Sequence, residues 1–383
     1  MNDTASNAAG YPTTPTVDKG ELPDLFLKPD GARVSSPDEW AARARAWRDQ
    51  VVALEYGGLP PVPDKVEVES LCHSAVRRWP ETPRLWTFRA SCSGGEKPFS
   101  FTYRLLLPLG DGPFPTIING DGCWWYITED IAQAVTSRGY GLAVFNRTEM
   151  AEDLGYGEVR DKHKRRGGLY DIYPGLRFGA LSAWAWGFHR CVDALLREPL
   201  VDGERLAVTG HSRGGKTALL AGVTDERIAL INDNASCAGG SACYRYVGDA
   251  GETLNIVNTF PSWFGPDIRP YFEREETLPF DQHCLLAAAA PRALLVTYAT
   301  DDRWSNPEGM VLCMEAAREA WRYLGVPDRL AYHLRPGPHA HRPEDWKVLL
   351  DYADAQWRGA PAPARLNAHP YRHLRPAHTW RAP

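Results

Sequence analysis

The sequence predicts an α/β fold in which a doubly wound, mostly parallel sheet is covered by helices on both faces. Short apolar runs typical of buried strands alternate with stretches long enough for helices. An apolar content of 44% in 383 residues is sufficient for a large core without disulfides. A glycine-rich turn joins one predicted strand directly to a helix, at the edge where such sheets bind ligands.

The first part of the chain predicts one helix followed by a group of strands. Residues 36–39, Ser-Pro-Asp-Glu, have the composition of a helix start, and Gly57 and Gly58 mark the end of that helix. The alternating stretches RLWTFRAS and FSFTYRLLLP predict two antiparallel strands around a Ser-Gly-Gly turn. The apolar runs PFPTIING and GYGLAVFN then predict two buried parallel strands.

The rest of the chain alternates strands and helices in the order that a parallel sheet requires. The long helix FGALSAWAWGFHRCVDALLRE is apolar on nearly all sides, so we expect it to be buried. The predicted strands that follow are ERLAVTG, IALINDN, RALLVTYAT and LAYHLRPG, with the helix KTALLAGV after the first of them and a last helix at 344–358. We therefore expect a three-layer sandwich.

Composition and charge limit the domain organisation and the class of partner. We expect a flexible tail at 1–22, one domain with an N-terminal elaboration at 23–360, and a loose Pro/Arg/His-rich tail at 361–383. The formal net charge of −5 argues against a nucleic-acid partner, and the basic run at 160–166 is expected to be a solvated loop among acids. The sequence contains no run of 18 apolar residues, the length needed for a membrane-spanning helix, so no membrane partner is expected.

The cysteines and the N-terminus indicate the expected compartment. The eight cysteines are scattered without a Cys-x-x-Cys pair, so we expect free thiols and no structural metal. The N-terminal 20 residues have neither the basic nor the apolar region of a signal peptide. A cytoplasmic protein is therefore expected, with secretion by another route left open. A monomer is favoured, although the sequence does not decide the oligomeric state.

The strongest motif is LAVTGHSRGGK at 206–216, in which Gly-x-Ser-x-Gly follows a strand and precedes a helix. This context is required of a nucleophile elbow, where a tight turn holds the serine above the sheet, and it favours Ser212 as a nucleophile over a plain glycine-rich turn. The N–H of Arg213 begins the helix and is expected to face the developing oxyanion. A second donor is expected from Gly120 in the Asn-Gly-Asp-Gly loop at 119–122.

A serine nucleophile of this kind needs an acid and a histidine, which follow it in that order along the chain. Asp301 and Asp302 come directly after the strand RALLVTYAT, and His339 and His341 come after LAYHLRPG. Both places lie at strand ends and can converge on Ser212. We predict that Asp302 is the acid and His339 the base, with Asp301 and His341 as the alternatives.

Several segments between about residues 40 and 357 form a recognisable set: GHSRGGKTALLAG, NASCAGGSACYR, FPSWFGPDIRPYF, LPFDQH with AAPR, the Asp302-x-Trp304 pair and RPGPHAHRPEDW. In these motifs the chain resembles carbohydrate esterase family 15, the glucuronoyl esterases, in particular its bacterial branch. Members of that family are α/β-hydrolases that cleave esters between 4-O-methyl-glucuronate on xylan and alcohols of lignin, without metals or cofactors. The resemblance implies a small-molecule or oligosaccharide uronate ester as substrate.

The resemblance also implies roles for individual residues. Ser212 and His339 match the family's nucleophile and base, and Arg213 matches its oxyanion-stabilising arginine. Lys216 matches a lysine that binds sugar hydroxyls, and Trp304 matches a tryptophan beside the uronate ring. A second aromatic candidate near the cleft is Trp263.

Three positions depart from the family pattern. Ala235 falls where fungal members carry a catalytic glutamate, so the acid is expected to be Asp302, as in several bacterial members. Phe260 falls on the position of a substrate-binding glutamate, and Glu252 aligns with another polar sugar-binding position and is expected to substitute. His211 replaces the cysteine that precedes the serine in fungal enzymes, which removes a disulfide.

The expected activity is hydrolysis of a glucuronate ester in two steps through an acyl-enzyme on Ser212. Two alternatives stay open. A general carboxylesterase or acetyl esterase on the same scaffold is favoured by Phe260 and by the lack of an export signal. A catalytically silent carbohydrate-binding homologue is the other.

Overall fold

The structure, a computed structural model, describes residues 15–154 and 165–383. Residues 1–14 of the predicted N-terminal tail and most of the basic run at 160–166 lie outside these ranges. The strands are, in chain order, β1 (Val17–Asp18), β2 (Lys65–Ala75), β3 (Arg84–Ser93), β4 (Phe99–Leu107), β5 (Phe114–Asn119), β6 (Gly141–Phe145), β7 (Val201–His211), β8 (Leu230–Asn234), β9 (Tyr246–Val247), β10 (Ala293–Ala299) and β11 (Leu330–Arg335). The α-helices are α1 (Pro37–Tyr56), α2 (Glu129–Ser137), α3 (Leu169–Ile172), α4 (Ala180–Leu195), α5 (Arg213–Thr224), α6 (Ile256–Thr259), α7 (Gln282–Ala287), α8 (Pro307–Tyr323) and α9 (Pro343–Arg358).

A nine-stranded sheet organises the fold, with the strand order β11-β10-β8-β7-β5-β6-β4-β3-β2. The strands from β11 to β6 are parallel, and β4, β3 and β2 continue the sheet antiparallel. The predicted doubly wound, mostly parallel sheet is confirmed. The chain leaves β5 toward β6 on one side and returns to β7 on the other, so a crevice opens between the carboxyl ends of β5 and β7.

Apolar clusters cover both faces of this sheet. Helices α4, α5 and α8 contribute to the larger cluster, in which Trp184 and Trp186 of the apolar helix are fully buried. Helices α2 and α9 contribute to the smaller cluster around Trp346. Within β5, Ile117 belongs to the smaller cluster and Ile118 to the larger one, because successive strand residues point to opposite faces. The predicted three-layer sandwich is therefore confirmed.

The first helix begins and ends where the sequence predicts. The Ser36 hydroxyl accepts a hydrogen bond from the Glu39 N–H at 3.2 Å, which satisfies one of the free donors of the first turn. Gly57 ends the helix in the left-handed region, with φ +75°.

The expectation of loose tails is wrong for residues 15–22 and 361–383. Strand β1 pairs with β9, and Leu22, which is buried, donates its N–H to Ala377 O at 2.8 Å. The Trp380 Nε1–H donates to Leu22 O at 2.9 Å, and its ring lies 6.3 Å from that of Phe26. Both tails hold apolar side chains that pack on the domain and on each other, and this packing outweighs the polar composition of the rest.

No helix within residues 15–154 and 165–383 is long and apolar enough to span a membrane. All eight cysteines are free thiols.

We expect Trp380→Ala to lower the free energy of unfolding by about 2 kcal/mol, because it removes a largely buried ring and leaves the Leu22 carbonyl without its partner. Urea unfolding at neutral pH measures this change. The control is Leu109→Ala, since Leu109 is 67% exposed, and we expect a change within about 0.5 kcal/mol. Equal stability of the two variants would contradict the packing of the C-terminal segment.

Candidate active site

The serine predicted as nucleophile lies in a strained turn between β7 and α5. Ser212 has φ +57° and ψ −121°, a region that non-glycine residues rarely adopt. The turn is tight enough that a Cβ on Gly210 would lie 2.2 Å from Gly214 O, and one on Gly214 would lie 2.0 Å from Asp121 Oδ1. This is the conformation of a nucleophile elbow, at the crevice between β5 and β7.

A histidine and a carboxylate come together beside this turn. His339 follows β11, and its Nδ1 lies 2.6 Å from Oδ2 of Asp302, which follows β10. The Asp302 carboxylate is buried and also accepts a hydrogen bond from the Ser305 hydroxyl. Because the carboxylate accepts the proton on Nδ1, the His339 Nε2 is left free to act as a base. Sequence patterns did not indicate Ser305, which lies in a short 3₁₀ turn after Asp302.

Burial raises the pKa of Asp302, but the hydrogen bonds from His339 and Ser305 and the proximity of His339 lower it further, so the net pKa lies below its usual value. Asp302 is therefore ionised at neutral pH and can stabilise a positive charge on His339.

The His339 ring is held near the nucleophile through the neighbouring His211. The two ring centroids are 4.4 Å apart, and His211 directly precedes Ser212. Burial, together with His339 and His341, keeps the pKa of His211 well below its usual value, so this ring stays neutral. In the part of the chain that the structure describes, no hydrogen bond joins Ser212 Oγ to His339; such contacts are often long in unliganded hydrolases and shorten when substrate binds.

The alternative acid and base have other contacts. The Asp301 carboxylate accepts a hydrogen bond from the Gly337 N–H at 2.8 Å, in the loop that precedes His339. His341 is buried and stacks on Trp346 at 5.0 Å, and burial lowers its pKa to about 3. The geometry therefore favours Asp302 and His339 over Asp301 and His341.

The guanidinium of Arg213 lies beside the elbow among aromatic rings. Its Nη1 donates to the Asp153 carboxylate at 2.8 Å, and its Cζ lies 4.3 Å from the Trp263 ring. Trp263 is only 3% exposed and is stacked on Phe260 at 3.9 Å. Predicted as a ligand-stacking residue, Trp263 instead supports Arg213, because its burial leaves little ring surface for a sugar.

Packing explains the glycine at position 120. A Cβ there would lie 2.8 Å from the Phe188 ring, and the Gly120 carbonyl accepts a hydrogen bond from the Arg147 N–H at 3.0 Å. In the same loop, the N–H groups of Asp121 and Gly122 donate within the protein, to Asn119 Oδ1 and Phe145 O. The role of Gly120 at the oxyanion stays a prediction.

Lys216 is buried, and its ammonium group has three partners within the protein. It donates to Ser236 O, to Ala238 O at 2.6 Å and to Glu252 Oε2 at 3.1 Å. An ammonium group has three N–H donors, so a direct bond to a sugar hydroxyl would require it to give up one of these contacts. In this conformation, Lys216 fixes the position of Glu252.

Glu252 and Trp304 border the same cavity of about 150 Å³, together with Thr253 and Phe260. Trp304 is 50% exposed and its carbonyl accepts a hydrogen bond from the Glu252 N–H at 2.8 Å. An exposed indole face next to a carboxylate provides a stacking surface and a hydrogen-bond acceptor, which is the chemistry that binds a sugar ring.

A second group of aromatic residues, which the sequence patterns did not indicate, lies beside the elbow. Tyr126 contacts the His211 ring at 5.3 Å, and Trp125, with φ +58°, is 83% exposed. Among the described Trp, Tyr and Phe residues, the exposed ones are these two and Trp304. A larger cavity of about 550 Å³ runs from this group along the sheet face between α2 and β4.

Nowhere in the described ranges do three or more His, Cys, Asp or Glu side chains form a group that could hold a metal ion.

Comparison with known proteins identifies the family. A family model described as "Glucuronyl esterase, fungi" matches residues 90–325, more than half of the chain. The chain belongs to the glucuronoyl esterase family. A 4-O-methyl-glucuronoyl methylesterase of Podospora anserina is 34% identical over 342 residues, which cover 85% of this chain and 66% of the relative. The chain thus matches slightly less than two thirds of the length of this curated relative.

Solved structures of family members share the fold. A carbohydrate esterase family 15 glucuronoyl esterase from Caldicellulosiruptor kristjansonii superposes with a TM-score of 0.80 at 31% identity, covering 94% of this chain and 97% of that one. A mutant glucuronoyl esterase from Sporotrichum thermophile, in complex with methyl 4-O-methyl-β-D-glucopyranuronate, superposes with a TM-score of 0.73 at 28% identity, covering 94% and 93%. The predicted family and its α/β-hydrolase fold are confirmed.

The lowered pKa of Asp302 predicts a pH dependence of stability. The folded pKa lies below the reference value of 3.8, so ionised Asp302 stabilises the fold above about pH 4, and this contribution is lost as the pH falls further. We expect Asp302→Asn to lose less stability than the wild type between about pH 5 and pH 3. Urea unfolding across this range measures the difference, with Asp301→Asn as the control. Parallel curves for wild type and Asp302→Asn would contradict the pairing with His339.

Proposed function

We propose that the protein is a serine carboxylic-ester hydrolase that cleaves esters of glucuronate or 4-O-methyl-glucuronate. The observation that carries the proposal is the 2.6 Å contact between His339 and Asp302 beside the strained Ser212. A nucleophile, a base and an acid at three strand ends, in this chain order, provide the arrangement for acyl transfer.

The reaction begins when Ser212 Oγ attacks the ester carbonyl while His339 Nε2 takes the Oγ proton. The ionised Asp302 stabilises the resulting imidazolium. The backbone N–H of Arg213 and its guanidinium stabilise the negative charge on the carbonyl oxygen. As the intermediate collapses, His339 returns the proton to the leaving alcohol and an acyl-enzyme remains. Water, activated by His339, then releases the uronate and restores the serine.

The cavity beside Trp304 is the proposed site of the uronate ring. The indole face stacks on the ring, and the Glu252 carboxylate, fixed by Lys216, accepts hydrogen bonds from its hydroxyls. The names of family members support this substrate: the Podospora anserina relative is a 4-O-methyl-glucuronoyl methylesterase, and the Sporotrichum thermophile protein was solved with a methyl glucuronate ester.

A general carboxylesterase acting on small esters such as acetates is the second candidate. Phe260 favours it, because this apolar ring lines the proposed sugar cavity where the family has a glutamate. The internal partners of Lys216 favour it as well, since they leave the ammonium less able to bind sugar.

Hydrolysis of methyl and benzyl glucuronate esters, compared with p-nitrophenyl acetate, tests the proposal. We expect a higher kcat/KM for the glucuronate esters and loss of turnover in Ser212→Ala. We expect Asp302→Asn to lower kcat by about 10²- to 10⁴-fold, because His339 loses its charged partner. A catalytic preference for the acetate would overturn the glucuronate assignment.

Asp301→Asn is the matched control for the acid, because it removes a neighbouring carboxylate that contacts Gly337 rather than His339. We expect its kcat to stay within about twofold of the wild type. Full activity of Asp302→Asn would overturn the proposed triad. A wild-type protein that binds glucuronate but hydrolyses none of these esters would instead be a silent homologue.

The sugar site is tested by Trp304→Ala and Glu252→Gln. We expect each variant to raise KM for the glucuronate esters by about tenfold, since each removes one contact to the ring. Turnover of p-nitrophenyl acetate is the internal control, because acetate has no ring to bind and its rate should stay within about twofold. Equal losses on both substrates would show that these residues support the elbow and not the sugar.

A further inference from the structure

A chain of four alternating charges links Arg213 to the nucleophile elbow. Arg213 Nη1 donates to Asp153 Oδ1 at 2.8 Å, and Arg147 Nη2 donates to Asp153 Oδ2 at 2.9 Å. Arg147 Nη1 donates in turn to Asp121 Oδ1 at 2.5 Å. The second oxygen of Asp121 accepts the backbone N–H of His211 at 2.8 Å, one residue before the nucleophile. The chain therefore runs from a side chain of α5 back to the backbone of β7.

Most of this chain is shielded from water. The side chains of Arg147, Asp121 and Asp153 are 0%, 1% and 9% exposed. The Trp124 ring lies 3.9 Å from the Arg147 Cζ and 5.3 Å from that of Arg213. Buried ion pairs are little screened, and removal of one member leaves its partner's charge uncompensated, so the four groups hold one another in place.

Arg213 stands apart as the partly exposed end of the chain. Its side chain is 22% exposed, and Asp153 occupies only one end of the guanidinium. The Nε–H of Arg213 has no hydrogen-bond partner among the described residues. That nitrogen is buried, whereas the terminal Nη2, which also has no partner among the described residues, is not. The contact with Asp153 therefore limits where this long side chain can go while leaving the Nη2 donors for a ligand.

We propose that Asp153 is a positioning residue for Arg213, which it fixes against the elbow so that the guanidinium is in place when the oxyanion forms. This inference rests on the proposed function, in which Arg213 stabilises the oxyanion. A donor that is already oriented lowers the barrier more than one that must first be ordered, since its side-chain entropy is lost on folding and not during the reaction. Asp153 acts through Arg213 and does not touch the substrate.

A double-mutant cycle between Asp153→Asn and Arg213→Met tests this inference. We expect Asp153→Asn to lower kcat by about tenfold with less than a twofold change in KM, because misplacement of Arg213 affects the transition state more than the bound substrate. We expect Arg213→Met to lower kcat by about 10²-fold. In the Arg213→Met protein, Asp153→Asn should change kcat less than twofold, because no guanidinium is left to position.

Two further variants separate positioning from folding. Asp153→Glu keeps the charge and should lie closer to the wild type than Asp153→Asn does. Asp267→Asn removes an exposed carboxylate that pairs with Arg177, and we expect it to leave kcat unchanged. Circular dichroism and thermal unfolding check each protein. If Asp153→Asn does not fold, the cycle is run with Asp153→Glu, whose smaller effect should also disappear in the Arg213→Met protein.

A second readout makes the test independent of the ester. A fluorophosphonate labels a reactive serine when Oγ displaces fluoride from phosphorus, and the phosphoryl oxygen then takes the place of the oxyanion. The rate of Ser212 labelling should show the same coupling between Asp153 and Arg213, even if no glucuronate ester is hydrolysed. If coupling is seen in the labelling but no glucuronate ester is hydrolysed, only the proposed function is overturned. Full activity of Asp153→Asn, or equal losses from it with and without Arg213, would overturn the role of Asp153.

Discussion

The strained backbone of Ser212 is the constraint on which the arrangement of the site depends. A positive φ at a residue with a side chain costs on the order of 1 kcal/mol or more, so it persists only where the surroundings fix it. Here the Ser212 N–H donates to Asn234 O at 2.8 Å, and the close approach of Gly210 to Gly214 leaves no room for a relaxed turn. Because β7 and α5 are both anchored in the core, the strain at this turn does not unfold either element.

The position of this turn explains why distant segments reach it. The carboxyl ends of β5, β7, β10 and β11 lie on one edge of the sheet, so Asp121, Asp302 and His339 need only short loops to converge on Ser212. Asp302 and His339 could be placed from the sequence, because strand periodicity identifies the strand ends and the chain order assigns the acid and the base. The contacts of Asp153 could not, since it is 60 residues from Arg213 and lies in an irregular segment without a motif.

The tails show a second limit of sequence patterns. Their composition is rich in proline, arginine, histidine and other polar residues, which predicts loose chain, whereas Leu22 and Trp380 pack against each other and the domain. Average polarity does not reveal that a few apolar side chains suffice to hold a segment. Strand β2 shows another limit. Most of its residues are exposed, so no buried face identifies it as a strand of the sheet, yet its pairing with β3 extends the sheet.

Arg213 and Lys216, the two cationic residues that follow the nucleophile, differ in their hydrogen-bond partners, although both could be assigned to the site from the motif. All three donors of Lys216 have partners, and loss of any one of them would leave a buried ammonium less satisfied, so it acts as a fixed charge that holds Glu252. Arg213 is paired with Asp153 through Nη1 only, and among the described residues its Nη2 has no partner. Under the proposed function, recognition of the sugar falls to Glu252 and Trp304, while stabilisation of the oxyanion falls to Arg213. A substitution on one side should therefore affect binding, and one on the other should affect the chemical step.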